Sequence, residues 1–380
     1  MRRAVPMKRN LVILAAALLV GSAACGRMDP PDGEPAIPEI QGFFLLNEGL
    51  LGSNKCTLDY YDYQSGIYSK NVYGERNPGL VQELGDGGND LQLYGGRLFA
   101  VLYGSGLVEV IDATSARHLG TMSVPGCRYI AFQDGFAYVS AYGTKTDEND
   151  PPVQGYVAKF DLETLEIAGT CKVGLEPEEM VISGGKLYVA NSRCLNEPDF
   201  NNTVSVIDLA TFQVVKTIGV VLNLHRMELD PYGIIWVSSR GDYYDIQPCV
   251  YLIDTKIDQV IEVMEMLPCS EMTQCGDSLY VLNNTWNYIY QTSDVSYALV
   301  DVKTRQIKTR RFITDGTDAQ FQNPCGLAVN PQTREIFVTD SRDNITPGKV
   351  FCYTPEGRLK WSCSTGDIPS RIVFTTIGLR

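Results

Sequence analysis

The chain has 380 residues, 44% hydrophobic and 20% charged, a globular rather than a disordered composition. Lys and Arg number 32 against 45 Asp and Glu, and the net charge of −13 excludes the basic stripe that a nucleic-acid partner requires. The 2 histidines, His118 and His225, exclude a His-rich metal centre, while 35 Gly and 21 Tyr point to an all-β chain with many turns.

Arg2, Arg3, Lys8 and Arg9 precede an apolar run over 11–20, followed by Gly21, Ser22, Ala23, Ala24 and then Cys25. A basic start, a short apolar core and a small-residue cleavage site read as an export signal, and the run is short for a bilayer span. A Cys directly after the small residues has the form of a bacterial lipobox. Residues 1–24 then form a lipoprotein signal peptide and Cys25 is the lipidated first residue of the mature chain. Ser22 stands where such boxes usually carry Leu, and plain signal-peptidase cleavage nearby is the alternative. Residues 25–41 carry Pro30, Pro31, Pro35 and Pro38 among Asp29, Asp32 and Glu34, which makes an extended, solvated tether. The expected location is the outer membrane, on the cell surface, with membrane contact through the lipid alone.

From Gly42 to the end one phrase recurs, a turn followed by a short apolar strand with an aromatic in it. The aromatics are Phe44, Phe99, Tyr138, Tyr188, Trp236, Tyr280 and Phe337, spaced by about 49 residues on average, the period of a propeller blade. A second phrase follows each, as in Val108-Glu109-Val110-Ile111-Asp112 and Val204-Ser205-Val206-Ile207-Asp208; looser copies lie at Leu58-Asp59-Tyr60-Tyr61-Asp62 and Lys349-Val350-Phe351-Cys352-Tyr353. Its final Asp, usually trailed by Ser or Thr, is a turn residue whose carboxylate bonds nearby backbone N–H groups. An opening strand precedes each unit, as in Met180-Val181-Ile182. Four strands in each of seven units predict an all-β, seven-bladed β-propeller over 42–380. Gly42 begins on a second strand, and Ile368 to Phe374 reads as an unpaired opener, so the C-terminal strand closes blade 1.

In such blades the loop between strands 2 and 3 shares a face with the entry to strand 1. Turns 1–2 are tight here (Ser183-Gly184-Gly185, Tyr94-Gly95-Gly96), whereas loops over 141–155, 191–202, 239–248 and 283–296 are long. Long loops on a rigid scaffold carry function, and Tyr, Trp and Arg anchor binding surfaces. The candidate ligand residues on this face are Tyr142, Arg193, Arg240, Tyr243, Tyr244, Asn284, Trp286 and Arg342, with Tyr288 and Tyr290 nearby. The residues entering strand 1 are, around the ring, Arg371, Asp90, Arg128, Glu179, Arg226, Glu271 and Gly326. Signs alternate, so neighbours can pair, and a salt-bridged collar should plug the channel mouth and floor the binding face.

His225, beside the collar, is expected to be a hydrogen-bonded scaffold residue, since no partner nucleophile sits in a recognisable motif. No catalytic, metal or cofactor motif is present, and the acidic tip Asp147-Glu148-Asn149-Asp150 reads as a solvated turn, with a cation site as the alternative. Cys127, Cys269 and Cys325 fall at strand openings where small buried residues belong, and Cys194 with Cys249 is the one candidate disulfide pair.

Lys186-Leu187-Tyr188-Val189-Ala190-Asn191, followed by Thr203-Val204-Ser205-Val206-Ile207-Asp208, resembles the YVTN/YncE-like propeller repeats. Phe43-Phe44-Leu45-Leu46-Asn47-Glu48-Gly49, Gly85-Asp86-Gly87-Gly88-Asn89-Asp90-Leu91 and the lipobox together resemble the BtuG-type cobalamin-capturing surface lipoproteins. That resemblance implies capture of cobalamin or a related corrinoid and transfer to a TonB-dependent outer-membrane transporter, with no enzymatic activity. It assigns no ligand residue, so the loop-face residues stand on position alone. Two other readings stay open: a propeller lactonase or hydrolase with a metal in the channel, and a protein- or glycan-binding adhesion module.

Overall fold

Seven four-stranded antiparallel sheets follow one another along the chain, each with its strands in sequence order except one. In that one, Pro369–Thr375 pairs with Gly42–Asn47, Gly42 facing Thr375, so the last strand completes the first blade. The computed structural model describes residues 38–80, 84–144, 153–192 and 202–380. Cys25 with its leader, Arg193, Cys194 and the 147–150 tip lie outside these described residues.

The repeated aromatic explains why the blades associate. On a strand, neighbouring side chains point to opposite faces, so each blade offers one set to the preceding blade and one to the next. Tyr188 joins Ile235 and Val237 of blade 5, while its neighbours Leu187 and Val189 join Tyr138 of blade 3. Trp236 likewise packs on Leu279 and Val281 of blade 6, and Phe337 on Phe43 and Leu45 of blade 1. All seven aromatics are buried, each facing the next blade round. The core is thus seven seams between blades, closed into a ring.

The turn residues act as their chemistry predicts. Asp112 accepts from the backbone N–H of Thr114 and of Ser115, both at 2.9 Å, and Asp208 accepts from that of Thr211 at 2.8 Å. Such bonds favour the ionised carboxylate; at Asp301 the Lys308 ammonium, and then the Thr304 N–H, hold the carboxyl down to about 2. Four residues later the backbone turns left-handed, at Ala116, Leu165, Phe212, Asp258 and Arg305. Several of these residues reach the preceding blade: Phe212 packs on Tyr138, Asp258 pairs with Lys186 at 2.6 Å, and Arg305 with Glu262 at 3.1 Å.

Two elements differ from expectation. The outermost strand of blade 1 shrinks to Tyr68–Ser69 and gives way to a short helix, Val72–Arg76. Buried Asp59 draws the chain aside by accepting from the Asn71 N–H and the Tyr68 hydroxyl, both at 2.8 Å. In blade 6 the stretch over 283–296 is mostly not a loop. Ser278–Asn287 and Thr292–Asp301 form one continuous ten-residue ladder, from the Ser278–Asp301 pair out to Asn287–Thr292. Thr285, Trp286, Thr292 and Val295 are strand formers and extend the pairing as an arm beyond the blade.

Candidate functional site

The collar forms at the mouth of the channel, with a pairing scheme of its own. Arg371 of blade 1 lies 3.6 Å from its neighbour Asp90 and reaches across the ring to Glu179 of blade 4 at 3.0 Å. Arg226 pairs with its neighbour Glu271 at 2.5 Å. Arg128 is the correction. It turns from Glu179 to Glu178, one residue earlier, in a forked contact at 3.1–3.3 Å, and lies 5.1 and 5.0 Å from the ring centres of Tyr103 and Tyr142, which meet edge-on. The pairing register shifts between Pro177 and Met180, and this bulge holds both Glu178, which takes Arg128, and Glu179, which takes Arg371. Gly326 ends the alternation because a Cβ there would lie 2.2 Å from the Ser370 carbonyl oxygen, where no side chain fits.

Tyr129 is the hub of the collar, with Arg226 and Arg371 each 5.4 Å from its ring centre. Its hydroxyl accepts from Arg226 at 2.6 Å and meets Nε2 of His225 at 3.1 Å. Burial, and then the surrounding arginines, holds His225 well below its ordinary range, and its ring is hydrogen-bonded within the collar. Burial pushes the Tyr129 hydroxyl up to about 12.

Two carboxylates here escaped the sequence reading. Glu48, in the Asn-Glu-Gly phrase, sits among Arg226, Arg371 and Ser370, and burial raises its carboxyl. Glu228 lines a channel cavity of about 430 Å³ that runs from Arg371 and Glu179 toward Pro331 at the tight-turn end. Burial, followed by the Glu179 carboxylate, pushes Glu228 up to about 8. Glu228 stands two residues after the collar's Arg226, and that spacing is its one mark in the sequence.

The open part of the loop face is a second cavity, about 350 Å³, between blades 5 and 6. Arg240, Tyr243 and Tyr244 form one wall and Trp286 on the arm forms the other. The arm is clasped to the blade 5 loop: the Tyr288 N–H donates to the Tyr243 carbonyl at 3.1 Å, and its ring stacks on Tyr244 at 5.6 Å and 26°. Trp286 and Tyr290 remain 43% and 73% exposed, a large aromatic surface left unburied.

Four of the eight predicted ligand residues therefore converge: Arg240, Tyr243, Tyr244 and Trp286. Three others do not. Tyr142 donates a hydrogen bond from its hydroxyl to Glu178 and braces Arg128. Asn284 is a strut from blade 6 to blade 7, donating to Asn323 at 2.7 Å and the Pro324 carbonyl at 2.9 Å. Arg342 folds back on its own blade 7 loop, its backbone N–H donating to Asp340 at 2.9 Å and its guanidinium to the Pro347 carbonyl at 3.5 Å. Arg193 is outside the described residues. Asn283, Gln247, Glu265, Asp294 and Arg310 line the cavity without having been singled out. Asn283 points there because side chains alternate along the ladder and Asn284 faces away. Among the described residues no group of three or more His, Cys, Asp and Glu side chains is placed to hold a metal ion. Cys127, Cys269 and Cys249 are buried free thiols, and Cys325 is a partly buried one.

This ring of repeats coincides with one defined family, a domain of unknown function designated DUF5074, which matches residues 41–349. The chain belongs to the DUF5074 family. No curated protein matches it significantly. Among solved structures, a quinoprotein alcohol dehydrogenase-like protein from Bacteroides thetaiotaomicron superposes with a TM-score of 0.61 at 15% identity, over 88% of this chain and 78% of its own. Hydrazine synthase from Kuenenia stuttgartiensis gives 0.53 at 18% identity, over 69% and 74% of the two chains. Apo AztD from Citrobacter koseri gives 0.52 at 13% identity, over 89% and 98%. At these identities the likeness establishes the propeller fold and nothing finer.

Proposed function

We propose that this DUF5074 propeller is a capture protein that holds a corrinoid, cobalamin or a close relative, on its loop face and passes it to a TonB-dependent outer-membrane transporter. A lipid on Cys25 and the 25–41 tether would keep the head at the cell surface. The observation that carries the reading is the aromatic-walled cavity between blades 5 and 6, opening on a face whose central channel is stoppered by paired charges. A ligand on that face meets flat rings, amides and arginines, the groups that suit a broad molecule with amide arms and an aromatic tail. The metal-assisted hydrolase is disfavoured because Arg226 and Arg371 occupy the place where its carboxylate ligands would converge.

The test is calorimetric titration of cyanocobalamin into the chain lacking its first 25 residues. Binding tighter than about 1 μM, a favourable free energy of about 8 kcal/mol, is the expected result. Absence of heat, together with a colourless protein after incubation and gel filtration, would overturn the proposal.

A further inference from the structure

We propose that the cavity between blades 5 and 6 seats the nucleotide arm of the corrinoid, its planar base stacked between Trp286 and the Tyr243–Tyr244 pair, while the macrocycle lies outside on the loop face. This inference rests on the corrinoid reading and adds which part of the ligand is recognised, and by which residues.

Size comes first. About 350 Å³ is at the small end of ligand pockets, enough for a fused two-ring base with a sugar and too little for a corrin ring with its amide arms. Shape agrees. The aromatic walls come from different blades and are held apart by the Tyr288 clasp, where Tyr243 meets the Tyr288 ring edge-on at 88° and Trp286 meets it at 81°. This fixes the walls without filling the space between them. A flat base entering there covers aromatic surface that is otherwise wet, which is how stacking platforms hold bases irrespective of sequence.

Charge narrows the choice. Among the described residues Arg240 has no carboxylate within ion-pair distance, and the described contact of the Arg310 guanidinium is one donation to the Met266 carbonyl at 2.9 Å. Both can turn donors toward a phosphate. Glu265 and Asp294 line the same cavity, so the ionisable lining sums to zero. A singly charged phosphodiester suits that balance, whereas a dianionic phosphomonoester would meet the carboxylates unshielded. The arm that joins base, ribose and macrocycle through a diester has this chemistry.

The experiment compares cyanocobalamin with dicyanocobinamide, which lacks the nucleotide arm, on the wild-type chain and on Trp286→Ala and Tyr244→Ala, with melting temperatures confirming that the exposed rings leave the fold intact. Cobinamide should bind at least about tenfold more weakly than cobalamin. Each substitution should weaken cobalamin by a similar factor and leave cobinamide unchanged. Equal affinity for the two corrinoids, or equal loss of both in Trp286→Ala, would overturn the nucleotide-arm assignment while corrinoid capture stands. Binding of neither corrinoid would remove the capture reading itself, and this inference with it.

Discussion

The collar shows how much a single carboxylate position decides. Six charged side chains within one channel mouth are tolerable only because each arginine finds a partner, and leaving one buried charge alone costs about 3–5 kcal/mol. The ring alignment sets Arg371 beside Asp90 and Arg226 beside Glu271, and both pairs form, but it does not show that Arg371 reaches across the channel or that Arg128 takes Glu178. Below the collar, Glu228 makes a test at this scale. Its carboxyl is held protonated to about 8 in the folded chain, against an ordinary 4.5 when unfolded. The folded state therefore retains a proton that the unfolded state releases, so this group's contribution is complete below its unfolded range and is lost as pH rises toward about 8. Urea midpoints for wild type and Glu228→Gln, measured between about pH 5 and pH 8, should show the substitution gaining relative stability as pH rises. Parallel curves would remove Glu228 from the titration.

At the scale of the element, the arm of blade 6 separates scaffold from function. Its inner half is an ordinary blade hairpin, and its outer half carries exposed rings that add little to the core. Residues 288–291 can be replaced by Asn-Gly, which closes a two-residue turn on the Asn287–Thr292 pair without shifting register. The melting temperature should hold within a few degrees, while corrinoid affinity falls by about tenfold because Tyr288 no longer braces Tyr244. An unchanged affinity would place the ligand elsewhere on the face. The turn signals, the repeated aromatics and the Asp caps were all legible in the sequence because each is enforced by local chemistry or strict alternation. The arm was not legible: Asn283, Asn284 and Asn287 look like loop residues, and only pairing with 292–296 makes them strand.

At the scale of the whole molecule, closure is the decisive feature. The apolar core lies in seams between neighbouring blades, with the Arg371–Glu179 and Arg226–Tyr129 contacts of the collar spanning the channel, so the ring depends on its weakest seam. The closing seam joins Phe43 and Leu45 to Phe337 and Val350, and Pro369–Thr375 covers the open edge of Gly42–Asn47. Deleting 369–380 should abolish cooperative urea unfolding and cause aggregation through the bared edge, whereas deleting 376–380 should leave a single transition with a lowered midpoint. A cooperative, monomeric 369–380 deletion would show that blade 1 does not need its last strand.

The sequence alone determined the number of blades, their order, the strand that closes them and the face on which long loops gather. Those follow from period, alternation and turn chemistry, which act over a few residues and survive translation along the chain. Only the tertiary structure decided which loop residues meet. Tyr142 and Asn284 have the right chemistry on the right face yet are spent on bracing, and Arg342 stays with its own loop, whereas Arg240, Tyr243, Tyr244 and Trp286 come from two blades to wall one cavity. Convergence of that kind depends on the seam between blades and on the length of one hairpin, and no local pattern encodes either.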